Sequence, residues 1–140
     1  MTKTILQKIT FRNTKPKALY DLYMDSKKHS VATGATAKIS PKEGGKFSVH
    51  GGYIVGKNLT LVKNKLIVQT WRAQGWKKNE ADSIFVLSLT PKGKDVIVEM
   101  THANIPIKYA PGITKGWKVH YWEPWKKYLT GKPIAKSPGM

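Results

Sequence analysis

The stretch Ile113 to Leu129 reads ITKGWKVHYWEPWKKYL. Projected at about 100° per residue, Ile113, Trp117, Tyr121, Trp122, Trp125, Tyr128 and Leu129 fall within half a wheel, and Val119, Glu123, Lys126 and Lys127 fall outside it. The pattern predicts a helix with one broad aromatic face, which needs an equally broad apolar surface to cover it. Pro124 is expected to kink this helix or reset its hydrogen bonding, since it has no N–H and its ring crowds the preceding turn.

The residues upstream supply that surface. Lys46 to His50, Tyr53 to Val62, Leu66 to Ala73, Ser83 to Thr90 and Asp95 to Ala103 are short runs rich in β-branched residues. Gly51-Gly52, Asn64-Lys65 and Pro91-Lys92-Gly93-Lys94 punctuate them as turns. Ala35 to Ile39 adds a short strand closed by Ser40-Pro41. Ahead of these, Thr4 to Phe11 puts Ile5, Ile9 and Phe11 on one side of a strand, with Gln7 between them. Two short helices follow that first strand. Lys15 to Met24 carries Leu19, Leu22 and Tyr23 at helical spacing behind an Asn13-Thr14 cap. The second is capped by Asp25 or Ser26 and stopped by Gly34.

The predicted fold is therefore α+β: a curved antiparallel sheet of about seven strands around a long C-terminal helix, with two short helices plugging one end. Residues 1–130 are expected to form a single domain and 131–140, rich in Pro, Gly and Lys, a flexible C-terminal tail. The length of 140 residues suits one core, and 40% apolar with 24% charged residues is a globular composition. No apolar run reaches the ~18 residues of a membrane span. Met1 to Phe11 lacks the apolar centre of a signal peptide, so the expected compartment is the cytoplasm. With no cysteine, disulfides and thiolate chemistry are excluded.

Twenty-five basic against eight acidic residues give a net charge of +17. Only Arg12 and Arg72 are arginines, and the lysines are scattered in ones and twos. Guanine readout uses arginine forks, so sequence-specific nucleic-acid binding is disfavoured, and an acidic protein partner is the better match for a lysine field. No catalytic constellation is visible. His29, His50, His102 and His120 form no HxH or HxxxH pair, no carboxylate pair is identifiable, and neither a phosphate loop nor a GxSxG setting occurs. The reading is of a protein that is not an enzyme and carries no metal or cofactor.

A curved sheet cannot fill its own concave side, so either the helix fills it or a cavity remains for a small apolar ligand. Phe47, Trp71, Phe85, Leu87, Met100, His102, Trp117 and Tyr121 are the candidate lining of such a cavity. His102 continues the parity of Val96, Val98 and Met100, and is its best polar candidate. Arg72 points to the opposite face from Trp71 and is expected to pair with a carboxylate such as Glu99. Trp76, Lys77 and Lys78 lie in a polar loop: either Trp76 folds back on the sheet, or the three are the candidate contact for a protein partner.

Several segments carry a resemblance. They are Lys17-Ala18-Leu19-Tyr20, His29-Ser30-Val31-Ala32-Thr33-Gly34, Gly44-Gly45-Lys46-Phe47 and Gly52-Tyr53-Ile54-Val55-Gly56. Ile67-Val68-Gln69-Thr70-Trp71-Arg72, Trp76, Ser83, Thr101-His102, Ile105-Pro106, Gly116-Trp117 and Tyr121-Trp122 follow in order. From Ile9 to Leu129 the sequence resembles the activator of Hsp90 ATPase homologue family, within the START-like (SRPBCC, Bet v-like) helix-grip superfamily. The resemblance implies a seven-stranded sheet gripping the last helix. It also implies apolar ligands, as in the wider superfamily, or docking on an acidic chaperone surface, as for the C-terminal domain of the related co-chaperone. That co-chaperone has an additional N-terminal domain for which no counterpart is expected here.

Overall fold

The computed structural model describes residues 1–130; the expected tail at 131–140 lies outside the described residues. The chain runs β1 (Thr2–Phe11), α1 (Pro16–Met24), α2 (Ser26–Thr33), β2 (Lys38–Ile39), β3 (Lys46–Val49), a 3-10 turn (His50–Gly52), β4 (Ile54–Val62), β5 (Leu66–Ala73), β6 (Ser83–Lys92) and β7 (Asp95–Pro106). A second 3-10 turn (Ile107–Tyr109) leads into α3 (Ala110–Trp117), a π turn (Lys118–Trp122) and α4 (Glu123–Leu129). The strands make one antiparallel sheet in the order β1-β7-β6-β5-β4-β3-β2. The fold is the curved, helix-gripping sheet read from the sequence, and no described helix is long and apolar enough to cross a membrane.

Local chemistry explains most boundaries. Asp25 caps α2, accepting from the Lys28 N–H at 2.9 Å, and Gly34 ends it with φ 77°. α1 starts on Pro16 with no side-chain cap. Asn13 is spent elsewhere: it adopts φ 53° and its N–H donates to Asp95 Oδ1 at 3.1 Å, tying the helix entry to β7. β2 is shorter than expected because residues 35–37 bond to α2 and the 3-10 turn instead of a strand. Ala37 N–H donates to Ser30 Oγ at 2.9 Å, and Thr36 C=O accepts from Gly51 at 3.0 Å. β7 runs three residues further than expected, since Ile105 and Pro106 pair with Lys3 and Thr2 of β1.

The last helix stays helical from 110 to 129, and its aromatic face is buried: Trp117, Tyr121, Trp122 and Trp125 are each 4% exposed or less. Pro124 cannot donate to the carbonyl of His120, and the turn just before it is widened, with Glu123 N–H bonding to Lys118 C=O five residues back. The wider turn lets the consecutive Tyr121 and Trp122 both face inward. Trp122 Nε1 donates to Gln7 Oε1 of β1 at 2.6 Å, and Gln7 Nε2 donates to the Thr114 carbonyl at 3.1 Å. Each of these buried rings contributes on the order of 3 kcal/mol by leaving water.

A polar chain crosses the other half of the core. Tyr23 OH donates to Gln69 Oε1 at 2.9 Å, Gln69 Nε2 donates to Asn58 Oδ1 at 2.9 Å, and Asn58 Nδ2 donates to the carbonyls of Ser40 and Lys42. Every member is paired, which is the condition for tolerating amides at full burial. This chain holds α1 and the 40–42 turn against the sheet.

Candidate functional site: an aromatic cleft with a histidine–tyrosine relay

A cleft of about 730 Å³ opens between the sheet and the start of the last helix. β5 contributes Trp71 and Ala73 to it, the loop after β5 Trp76, the second 3-10 turn Lys108 and Tyr109, and α3 Gly112, Ile113, Gly116 and Trp117. His50, Tyr53, Ile54, His120 and Tyr121 close the far wall. Gly112 and Gly116 stand one helical turn apart, and both line the space. A Cβ at Gly112 would meet nothing within 4 Å, and one at Gly116 only His120 Cδ2 at 3.8 Å. The missing side chains thus create part of the cleft.

The rim is latched. Trp76 is half-buried and stacks on Tyr109 with centroids 5.2 Å apart and planes 5° from parallel. Glu80 Oε1 accepts from Tyr109 OH at 2.9 Å and from the Lys77 N–H at 2.7 Å, and Glu80 Oε2 lies 3.5 Å from Lys108 Nζ. The Lys77 N–H, then the Tyr109 hydroxyl and the Lys108 charge, hold the Glu80 carboxyl below its usual range. Arg72 completes the loop by donating to the carbonyls of Glu80 and Lys77 and to Asp82 Oδ1 at 3.2 Å, with its guanidinium 5.9 Å from the Trp76 ring. Its carboxylate partner is therefore Asp82 and not Glu99. Arg72 follows the Trp71–Ser83 pair at one end of β5, whereas Glu99 pairs with Ser88 and Lys8 further along the sheet.

Behind the cleft, three residues form a relay. His29 Nδ1 lies 2.8 Å from the Tyr23 carbonyl, His29 Nε2 lies 3.0 Å from Tyr121 Oη, and His50 Nε2 lies 3.0 Å from the same oxygen. Desolvation lowers His29 and His50 to about 4, so both rings are neutral near pH 7. A carbonyl only accepts, so the His29 proton is on Nδ1 and its Nε2 accepts. Tyr121, whose hydroxyl burial pushes well above the ordinary phenol value, then donates to His29, and His50 Nε2–H donates to the Tyr121 oxygen. His120 stands beside His50, with ring centroids 5.7 Å apart.

The residues singled out from the sequence separate in space. Trp71, Trp117 and Tyr121 line the cleft, and so does Trp76. Phe47, Phe85, Leu87, Met100 and His102 are buried in the packed core behind its wall. Phe85 stacks on Trp117 at 4.7 Å. Both nitrogens of His102 have protein partners: Nε2 lies 2.8 Å from Ser83 Oγ, and Nδ1 accepts from Trp117 Nε1 at 3.1 Å. Ser83 Oγ donates to the Trp71 carbonyl at 2.6 Å, so His102 Nε2–H must be the donor to Ser83. Lys77 and Lys78 are exposed. His50, Tyr53, Tyr109 and the two helix glycines escaped the sequence reading, because turn residues and absent side chains leave no periodic signal. Among the described residues, no group of three or more His, Asp or Glu is placed to hold a metal ion.

Comparison with known proteins agrees with this architecture. The family model described as "Activator of Hsp90 ATPase homolog 1-like protein" matches residues 13–130. The activator of 90 kDa heat shock protein ATPase homolog of Dictyostelium discoideum is 36% identical over 118 residues, covering 84% of this chain and 30% of that protein. The human homolog 1 is 29% identical over 119 residues, covering 83% of this chain and 35% of that protein. The chain thus spans about a third of the length of these relatives. Among solved structures, an HSP90 activator from Plasmodium falciparum superposes with a TM-score of 0.79 at 24% identity, covering 95% of this chain and 98% of that one. The Aha1 dimer from Colwellia psychrerythraea superposes with a TM-score of 0.76 at 16% identity, covering 91% and 96%. With the matched segment running from the first helix to the end of the last, this chain belongs to the activator of Hsp90 ATPase homolog 1-like family.

Proposed function

We propose that this family member is a non-enzymatic binding module that takes a small, largely apolar molecule in the cleft. The carrying observation is the cleft itself: about 730 Å³, walled by Trp71, Trp76, Tyr109 and Trp117, falls within the ~300–1,000 Å³ of small-molecule sites. Its rim and back wall are held by hydrogen bonds, so little ordering cost is due on binding. Native mass spectrometry of the protein from its own cells is the test. The expected result is a retained small molecule that Gly116→Leu loses, because a leucine there projects into the cleft without disturbing the backbone. A wild-type protein that carries nothing, and whose amides around Gly112 and Gly116 do not shift with added 2-naphthol, overturns the reading.

A second reading, docking on an acidic surface of a 90 kDa heat shock protein in the cytoplasm, is favoured by the +17 charge and by curated relatives named as activators of that protein's ATPase. The exposed Lys77 and Lys78 beside Trp76 would contribute to it. Such docking weakens steeply as salt rises above ~0.15 M, whereas cleft binding of a neutral molecule does not. Affinity for the purified chaperone, measured at two salt concentrations, separates the two.

A further inference from the structure

Alternate residues of each strand turn into the core, and the others form an outer side of the sheet that none of the described helices covers. The wet side of an antiparallel sheet ordinarily carries polar residues. Here the registers set Leu6, Thr101, Val86 and Val68 side by side across β1, β7, β6 and β5, and Thr60 of β4 ends the row. Ile84 flanks it on β6, and the Leu66–Val62 pair flanks it on β5 and β4. Leu6 is 74% exposed and Val62 43%, and Leu66, Val68, Ile84 and Val86 are half-buried. With strands ~4.8 Å apart and a rise of ~3.3 Å per residue, the five long strands present about 500 Å² of flat area, over half of the ~800 Å² that one partner contributes to a standard interface. Beside this stripe, Lys46 of β3 and Lys57 of β4 stand directly opposite each other, both exposed. The Lys57 N–H donates to Thr70 Oγ1 at 2.9 Å, and Thr70 pairs with Ile84, which fixes the lysines next to the aliphatic row. Like charges so placed repel. Among the described residues neither lysine pairs with a carboxylate, whereas Lys17, Arg72 and Lys108 do. The carboxylates on this side are Glu99, opposite Lys8, and Asp95, which accepts from the Asn13 N–H at the end of the sheet.

We infer that the outer face of the sheet is a docking surface for an acidic protein, whose aliphatic side chains cover the row from Leu6 to Val68 and whose carboxylate bridges Lys46 and Lys57. This rests on the docking reading above and moves its centre from Lys77 and Lys78 to the back of the sheet. A carboxylate between the two lysines relieves a repulsion that the isolated chain leaves standing. A second copy of the chain is opposed by the +17 charge that both copies would carry. A lipid surface fits less well: the outward positions of the five long strands hold no aromatic residue, and elements that settle in a membrane interface draw on Trp, Tyr and Phe. The cleft residues Trp71 and Ala73 point to the other side of β5, so the cleft stays free when this face is occupied.

The probe is the purified 90 kDa heat shock protein, added to the full chain labelled at Ile, Leu and Val methyls. Its addition should broaden the signals of Leu6, Val68 and Val86 and spare Ile113 of the cleft. Lys57→Glu is the discriminating variant, because it turns a repelling pair into an attracting one. Its urea midpoint should be no lower than that of the wild type, while its affinity for the chaperone falls roughly ten-fold. Lys77→Glu with Lys78→Glu, a larger change of charge made elsewhere, should weaken binding less. An affinity kept in Lys57→Glu overturns the inference and leaves the docking reading standing. A wild-type protein that does not bind the chaperone overturns both. Broadening of the same methyls by phosphatidylserine vesicles and not by the chaperone assigns the face to lipid and overturns the protein partner.

Discussion

Gly56 shows how tightly single positions are constrained. It is paired with Phe47 across β3 and β4, and a Cβ there would lie 2.0 Å from the Thr70 carbonyl oxygen and 2.5 Å from the Phe47 ring. Neither can withdraw, since one is backbone and the other is wedged in the core. Gly56→Ala should cost roughly 1–3 kcal/mol, read as a lower urea midpoint at unchanged slope. The cleft glycines behave in the opposite way. Gly112 and Gly116 carry the helix penalty of about 1 kcal/mol each, and an added methyl has room. Gly112→Ala with Gly116→Ala should raise stability by about 1–2 kcal/mol while weakening uptake of 2-naphthol. A melting curve and a titration on the same sample check both signs. The pair trades helix stability for open space, and that trade was invisible in the sequence, where each reads only as a mildly unfavourable helix residue. Gln69 was hidden for a related reason: an amide at an inward strand position gives no sign of whether the core holds partners for it.

Among the elements, the loop 74–82 and the second 3-10 turn are joined by the Trp76–Tyr109 stack and by Glu80. Glu80→Ala should leave the global urea midpoint essentially unchanged, because exposed carboxylates contribute little. Amide exchange at Lys77 should nonetheless accelerate several-fold, since its N–H loses its acceptor. The strand parities were readable because Val96, Val98, Met100 and His102 alternate without interruption, and all four are buried. The long helix was readable from its aromatic arc. What the arc did not disclose is how Pro124 is accommodated. A proline can bend a helix or displace its bonds, and the choice here falls to Tyr121 and Trp122, which both need the inner face. Likewise the polar loop carrying Trp76 gave no sign that Tyr109, 33 positions later, offers a ring to stack on.

For the molecule as a whole, the buried histidines make stability depend on pH. Desolvation holds His29 and His50 at about 4 and His102 at about 3, while each titrates near ~6.5 once unfolded. Between those values the unfolded chain binds protons that the native state excludes. Stability therefore falls as the pH drops from about 6.5 toward 4, and these groups contribute no pH dependence above about 7. The His29 shift alone corresponds to roughly 3 kcal/mol near pH 4, a large share of a small domain's stability. Urea midpoints at pH 7.5, 6 and 5 should decline in that order, with a shallower decline in His102→Gln. A flat series would show that the imidazoles are hydrated in the native state.

The edge pairing of β1 with β7 bears on how the protein comes into being. Phe11 lies opposite Val96 and Ile5 opposite His102, so β1 is made some ninety residues before the strand it pairs with. Contacts that remote in sequence slow the search for the native state. Until then Ile5 and Phe11 have nothing to cover them, and the aromatic closing helix is still untranslated. The apolar side of β1 is therefore the last part of the core to be covered, although it is made before every other strand of the sheet.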